Sequence, residues 1–161
     1  MKRRSREQAN EDIIEALLLE NYDRYYRLAH SYVHNDDDAA DIVQNSAYKA
    51  IKNCGSLKQN EFAATWLYRI VLNEIFTFCR QKKTEALDAV QNEPQAMDVY
   101  ENIDLKRALE TLPAEDKMIV ELKYFEEMKL EEIASLMQEN INTIKSRLYR
   151  SIKKLRLRLD A

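Results

Sequence analysis

The residues best suited to chemistry lie near the end of the chain, where basic side chains cluster. Residues 141–161 contain seven Lys and Arg residues against one acid, Asp160. An apolar residue recurs every three or four positions, which predicts an amphipathic helix from about Ile141 to Leu159; the apolar set is Ile144, Leu148, Ile152 and Leu155. A basic face almost free of acids suits the phosphates of a nucleic acid. The alternative, a solvated face of a bundle helix, leaves the near absence of acids unexplained.

A shorter helix is predicted just before the basic one, from Leu130 to Met137, with a tight turn between them. Ala134 on its apolar face is small enough for two helices to cross closely. This is the pattern of a helix-turn-helix, whose second helix enters the major groove with its first residues at the base edges. Arg147 suits a bidentate pair with guanine. The residues predicted to face DNA are Asn142, Thr143, Lys145, Ser146, Arg147, Arg150, Lys153 and Lys154.

Other chemistries find little support. His30 and His34 have the i, i+4 spacing of two zinc ligands, but helical geometry fixes no third ligand. The aspartates from Asp36 to Asp41 cannot all converge on one point from a helix cap, which argues against a two-metal nuclease. The chain has neither a glycine-rich phosphate loop nor an arrangement that activates a nucleophile. We therefore expect no catalytic residue, no metal and no cofactor.

Composition decides which elements must position these residues. One Gly and two Pro in 161 residues are too few for the turns of a sheet protein, while good helix formers dominate. The sequence predicts an all-α protein of two small helical domains joined by an acidic linker, the second domain being the helix-turn-helix.

Charge and apolar patterning divide the chain into an N-terminal helical domain (1–83), a linker (84–104) and a C-terminal domain (105–161). The linker has six acids, no base and few apolar side chains, a composition that buries little surface. The overall net charge of −3 conceals this separation of acids from bases. Different parts of the chain are therefore expected to face different partners.

Several local expectations concern the first domain. Asn35 and the aspartates after it are expected to cap a helix, Gly55 to end that helix as a C-terminal cap, and Trp66 to lie in the core rather than serve as a stacking platform. The basic N-terminal arm, residues 2–6, is expected to be a disordered tail.

The chain shows no apolar run long enough to span a membrane and no apolar stretch typical of a signal peptide. Cys54 and Cys79 lack CxxC partners, so ordinary reduced thiols are expected. These features favour a cytoplasmic protein without membrane insertion.

In its motifs and their order, the chain resembles the extracytoplasmic-function group of bacterial RNA polymerase sigma factors, from about Asn21 to Leu159. In the first domain, residues 38–44 resemble the family's polymerase-binding segment, and residues 65–70 resemble the helix that handles the minus-10 promoter element. In the second, Leu112-Pro113 and Tyr124-Phe125, followed by residues 131–134 and 143–150, resemble the minus-35 reader.

The resemblance implies two modes of DNA recognition and several partners. The second domain would read duplex minus-35 DNA, while the first would capture a base from the melted minus-10 strand. The amides and lysine of loop 53–61 suit a flipped base; the alternative is a plain solvent-exposed loop. The minus-10 residues would be Lys58, Asn60, Asn73 and Arg80, and those that bind core RNA polymerase would be Asp38, Asp41 and Gln44.

An anti-sigma factor completes the partners that the resemblance implies. The linker would thread into polymerase near the RNA path, or act only as a soluble tether. Two departures from the family are visible: Gln138 stands where the turn usually has glycine, with Asn140 or Asn142 expected to supply the permissive backbone instead, and Thr77 replaces an acid.

The leading hypothesis is thus a sigma factor that binds core polymerase and directs initiation at promoters with minus-35 and minus-10 elements. The helix-turn-helix alone would also fit a stand-alone transcriptional regulator with a helical sensor domain. A third hypothesis, an enzyme with a DNA-binding tail, depends only on the His and Asp cluster.

Overall fold

The structure is a computed structural model that describes residues 2–88 and 103–159. Every regular element within these two ranges is helical, which confirms the all-α prediction. The chain divides into two compact units, Met1–Gln91 and Asn92–Ala161. No helix in the described ranges is long and apolar enough to cross a membrane.

The first unit has three long helices: α1 (Lys2–Val33), α2 (Asp36–Lys52) and α3 (Ala63–Asp88). Two short 3-10 turns, Cys54–Ser56 and Asn60–Phe62, connect α2 to α3. The three helices pack against one another through the apolar stripes that their sequences predict. The fully buried side chains include Ile14, Tyr25, Ile42, Leu67, Val71 and Ile75.

The end of α1 and the start of α2 follow the local sequence. His34 has a left-handed backbone (φ 55°) that ends α1, and its N–H donates to the carbonyl of His30 at 2.9 Å. The side chain of Asn35 then accepts a hydrogen bond from the backbone N–H of Asp38 at 2.9 Å. The predicted N-cap is confirmed, and the acids of the first turn favour the positive end of the helix dipole.

Two expectations for this unit are wrong. The N-terminal arm is not a disordered tail, since α1 begins at Lys2. Gly55 does not cap α2 with a left-handed backbone: the helix ends at Lys52 with Asn53 as its C-cap, and Gly55 lies in the following 3-10 turn without a positive φ. A Cβ at Gly55 would lie 3.1 Å from Oε1 of Glu7, so close packing against α1 favours glycine there.

The second unit contains α4 (Ile103–Glu110), α5 (Ala114–Tyr124), α6 (Leu130–Met137) and α7 (Ile141–Leu159). Helix α7 packs against each of the other three. Ile144, Leu148 and Leu155 of its predicted stripe are buried, while Ile152 is half-buried and Ser151 is buried instead. The amphipathic character predicted for the basic helix is therefore present.

The turn between α6 and α7 differs from expectation. Gln138 itself takes the left-handed conformation, with φ 56° and ψ 43°, and its N–H bonds back to α6. Neither Asn140 nor Asn142 has a positive φ, so the prediction that one of them supplies the permissive backbone is wrong. An amide side chain thus occupies a backbone conformation that favours glycine.

The segment treated as a linker, 84–104, is helical at both ends. Helix α3 continues to Asp88, and α4 begins at Ile103. The acids Glu93, Asp98 and Glu101, and the expected path of the linker, lie outside the described residues.

Candidate nucleic-acid interface

Helix α7 presents most of its basic side chains to solvent. The side chain of Asn140 accepts a hydrogen bond from the Asn142 N–H at 2.8 Å and so begins the helix. Among the predicted DNA-facing residues, Thr143, Lys145 and Arg147 are half-buried; the exposed ones are Asn142, Ser146, Arg150, Lys153 and Lys154. Since Asp160 lies outside the described residues, the described face of α7 has no acid of its own.

Arg147 is paired within its own unit. Its Nη1 donates to Oε2 of Glu115, in the first turn of α5, at 2.9 Å, and its side chain is 26% exposed. The hydrogen bond with Glu115 is the largest of the effects that raise the pKa of Arg147. Sequence reasoning missed Glu115 because the partners are 32 residues apart and no local pattern joins them.

The Arg147–Glu115 pair lies at the wall of a shallow depression of about 450 Å³. The start of α5 forms one side of it, and two arginines of α7 form the other; the lining residues are Pro113, Ala114, Glu115, Asp116, Arg147 and Arg150. Two cations and two carboxylates thus face each other beside the basic surface of α7.

In the first unit, most of loop 53–61 is exposed, and two buried residues anchor it. Cys54 and Leu57 are buried, while Lys58 and Asn60 are exposed. The amide of Asn10 on α1 donates to the carbonyls of Cys54 and Leu57, at 2.9 and 3.0 Å. The loop therefore presents two polar side chains from a backbone that α1 holds in place.

Helix α3 presents the other two predicted minus-10 residues, Asn73 and Arg80, both exposed. Nη2 of Arg80 donates to Oγ1 of Thr77 at 3.3 Å. Thr77, the residue that replaces the family's usual acid, thus contacts Arg80 as a neutral acceptor.

Trp66 does not lie in the core as predicted. It is half-buried, whereas the next two residues, Leu67 and Tyr68, are buried. Tyr68 packs edge-on against Tyr25 of α1, with ring centroids 5.3 Å apart. The aromatic contact with the core is therefore made by Tyr68.

The predicted polymerase-binding strip on α2 has mixed exposure. Asp41 and Gln44 are exposed and Asp38 is half-buried, while Ile42 and Val43 are buried on the opposite side of the helix. These three polar residues recur at three-residue spacing, so they share one side of α2.

The histidines considered as metal ligands are used otherwise. Nε2 of His30 lies 3.0 Å from Oδ1 of Asp36, and the hydroxyl of Tyr26 donates to the same oxygen at 3.1 Å. Within residues 2–88 and 103–159, no three His, Cys, Asp or Glu side chains are grouped so as to hold a metal ion.

Comparisons with known proteins agree with this two-part arrangement. A family model described as Sigma-70 region 2 matches residues 17–85, and one described as Sigma-70, region 4 matches residues 103–155.

Individual proteins match the chain over most of its length. The chain is 39% identical over 158 residues to the RNA polymerase sigma factor SigV of Bacillus subtilis (strain 168), covering 96% of this chain and 95% of that protein. It is 28% identical to the ECF RNA polymerase sigma factor SigW of the same organism, covering 85% of this chain and 83% of that one. A solved structure of the sigma factor RpoE in complex with the anti-sigma factor NepR, from Bartonella quintana, is similar with a TM-score of 0.73 and 25% identity, covering 91% of this chain and 96% of that one.

Proposed function

The chain belongs to the extracytoplasmic-function group of the sigma-70 family of RNA polymerase sigma factors, and from that premise we propose which of its residues contact DNA and polymerase. The observation that carries the proposal is the order of the two matches: region 2 lies on the first unit, and region 4 on the unit that presents the basic face of α7. A stand-alone regulator is not favoured, because the supposed sensor domain is matched by region 2.

Helix α7 binds the minus-35 duplex in this proposal. Asn142, Thr143 and Ser146 lie on its first two turns, where a recognition helix meets base edges. Arg147 reads a guanine with the donors that Glu115 does not use. The exposed cations farther along the helix, Arg150, Lys153 and Lys154, neutralise phosphates.

The first unit takes the melted minus-10 strand. Lys58 and Asn60 contact the captured base from loop 53–61, and Asn73 and Arg80 follow the strand along α3. All four are exposed, so no rearrangement of the core is needed for them to reach DNA. Capture of the base offsets an unstacking cost of a few kcal/mol.

Contact with core polymerase is assigned to Asp38, Asp41 and Gln44. Two of these three side chains are exposed on the side of α2 that does not contribute to the core. The basis for the assignment is the resemblance of residues 38–44 to the family's polymerase-binding segment.

The remaining parts of the proposal concern partners and setting. The protein acts without catalytic residues of its own, as an initiation factor for the polymerase that makes RNA. It works in the bacterial cytoplasm, where polymerase and promoters meet. The complex of Bartonella quintana RpoE with NepR supports an anti-sigma factor as a further partner.

Reconstitution tests the proposal. The pure chain is mixed with core polymerase from Bacillus subtilis, and the holoenzyme selects templates from a pool that is randomised at the two promoter elements. We expect enriched minus-35 and minus-10 sequences at a fixed spacing, and transcripts that start downstream of them only when both components are present.

Two results would contradict the proposal. One is tight, sequence-specific binding of isolated duplex by the chain alone, as a stand-alone regulator would give. The other is an enriched minus-35 sequence that stays unchanged when Arg147, Ser146 and Thr143 are each replaced by alanine, which would remove α7 from base recognition.

A further inference from the structure

The first turns of α1 are hydrogen-bonded to loop 53–61, far away in the sequence. Nδ2 of Asn10 donates to the carbonyls of Cys54 and Leu57. One turn earlier, Nη2 of Arg6 donates to the carbonyls of Leu57 and Lys58, at 3.3 and 2.9 Å. Two side chains of α1 thus hold three carbonyls of the loop.

The contact between α1 and the loop is closely packed, and its centre is buried from water. Asn10 is 1% exposed, and Cys54 and Leu57 are buried beside it. Gly55 packs so closely against Glu7 that a Cβ would lie 3.1 Å from the carboxylate. Burial raises the pKa of the Cys54 thiol, as expected for a group withdrawn from water.

The backbone bonds of the loop are local. The N–H groups of Ser56 and Leu57 bond to the carbonyls of Asn53 and Cys54, and the N–H of Phe62, just after the loop, bonds to the carbonyl of Gln59. The carbonyls of Leu57 and Lys58 are instead held by α1, and Lys58 is one of the residues assigned to the captured base. Fixing a binding loop before the ligand arrives lowers the entropy cost of binding.

We infer that Arg6 and Asn10 are positioning residues for minus-10 recognition: they clamp loop 53–61 in the shape that captures the base, without touching it. Both lie before residue 17, where the region 2 match begins. The inference rests on the proposed role of the loop. It adds the start of α1 to the elements that set minus-10 specificity.

Substitutions can remove the hydrogen bonds from Arg6 and Asn10, here called the clamp, without altering the exposed side chains of the loop. Asn10→Asp keeps the shape of the side chain, but a carboxylate cannot donate to the two carbonyls that it faces. Arg6→Gln shortens an exposed side chain and removes its charge, so that the bonds to the carbonyls of Leu57 and Lys58 are lost, while Arg6→Lys keeps the charge and a donor. Asn21→Asp is the matched control for Asn10→Asp, since Nδ2 of Asn21 donates to a carbonyl of α1 itself, that of Leu17, at 3.0 Å.

The first measurement needs no DNA. Hydrogen exchange of the full chain is expected to show faster exchange of the amides of residues 54–62 in Asn10→Asp and Arg6→Gln than in the unsubstituted chain, with Arg6→Lys and Asn21→Asp unchanged. The amides of α7 serve as an internal reference for intact folding of the second unit.

The second measurement uses holoenzyme made with Bacillus subtilis core polymerase and bubble templates whose non-template minus-10 strand is randomised. We expect Asn10→Asp and Arg6→Gln to weaken binding of the preferred strand by about tenfold, the scale of one or two lost hydrogen bonds, and to relax the preference at one base. The minus-35 preference and affinity for core polymerase should stay unchanged, and Arg6→Lys should restore the minus-10 preference.

The inference is overturned if Arg6→Gln and Asn10→Asp both keep the minus-10 preference of the unsubstituted chain, or if loop exchange is unaffected. Should Asn10→Asp fail to fold, Arg6→Gln decides alone, because its side chain is exposed. If the unsubstituted holoenzyme has no preference in the melted strand while loop exchange responds to the variants, the proposed role of the loop has failed and the clamp has not.

Discussion

Nη1 of Arg147 lies 2.9 Å from Oε2 of Glu115, so this arginine of α7 is held against the first turn of α5. A guanidinium has five N–H donors, and Glu115 uses one of them in this structure. The edge formed by Nε and Nη2 is left for the two acceptors of a guanine. The ion pair therefore orients Arg147 and still permits a bidentate base contact.

Arg147→Ala and Lys153→Ala should weaken minus-35 binding in different ways. Loss of Arg147 should relax the preference at one base and cost on the order of 1 to 3 kcal/mol. Loss of Lys153, an exposed cation two turns farther along, should weaken binding evenly across sequences and lower the salt slope by about one unit. Holoenzyme binding to a panel of minus-35 variants at several salt concentrations measures both.

Both substitutions keep a high helix propensity, so unfolding should not confuse the comparison. Equal and sequence-independent losses would assign Arg147 to a phosphate. Base reading would then move to Thr143, Lys145 or Ser146.

Glu115→Gln should raise non-specific affinity and reduce discrimination at the base that Arg147 reads. The substitution removes a negative charge that repels phosphates, and it also weakens the hold on the guanidinium. Asp116→Asn is the matched control, because it removes a charge one residue away. If the two variants lose the same discrimination, or if neither does, Glu115 does not orient Arg147.

Asp41→Arg and Gln44→Glu should impair binding of core polymerase and leave the fold intact. Both side chains are exposed on α2, so neither change disturbs the core. Glu15→Arg on α1 provides a control with the same change of charge as Asp41→Arg at another exposed position. Fluorescence titration with core polymerase measures the effect, and unchanged affinity in both variants would remove the basis for assigning this strip.

Gln138→Gly should stabilise the second unit by about 0.5 to 1 kcal/mol. Glycine relieves the left-handed backbone at φ 56°, and part of the gain is offset by its greater freedom when unfolded. Gln138→Ala keeps the Cβ and should give no gain. Hydrogen exchange of slow amides in α7 reports the opening free energy, and equal values for Gly and Ala would show that backbone strain at this turn is negligible.

The helices were predictable because their signals are local. Stripes such as Ile144 and Leu148 repeat with the helix period, and Asn35 caps α2 through an N–H only three residues away. The same locality identified the basic face of α7 and the exposed pair Asn73 and Arg80. When the apolar face of a helix is buried, its polar face is left for partners, whichever elements cover the apolar face.

What escaped prediction depends on contacts between distant residues. The close contact at Gly55 is made by Glu7, and the loop is held by Asn10, 44 residues before Cys54. The position of Gly55 just after a predicted helix suggested a helix cap, because glycine is common at the C-terminal caps of helices. At position 138 the opposite occurs: the backbone is left-handed although the residue there is Gln138 and not the glycine that would signal such a turn.

The bonds between α1 and loop 53–61 have a thermodynamic consequence for the helix itself. Helix ends fray when nothing outside them holds them, and here the loop carbonyls hold Arg6 and Asn10. Coupling between two equilibria is reciprocal: if an ordered helix end favours strand capture, strand capture must favour the ordered helix end by the same free energy. Amide exchange in the first turns of α1 would then become slower when the open complex forms. The start of α1 would report promoter melting although it lies outside the DNA contact surface.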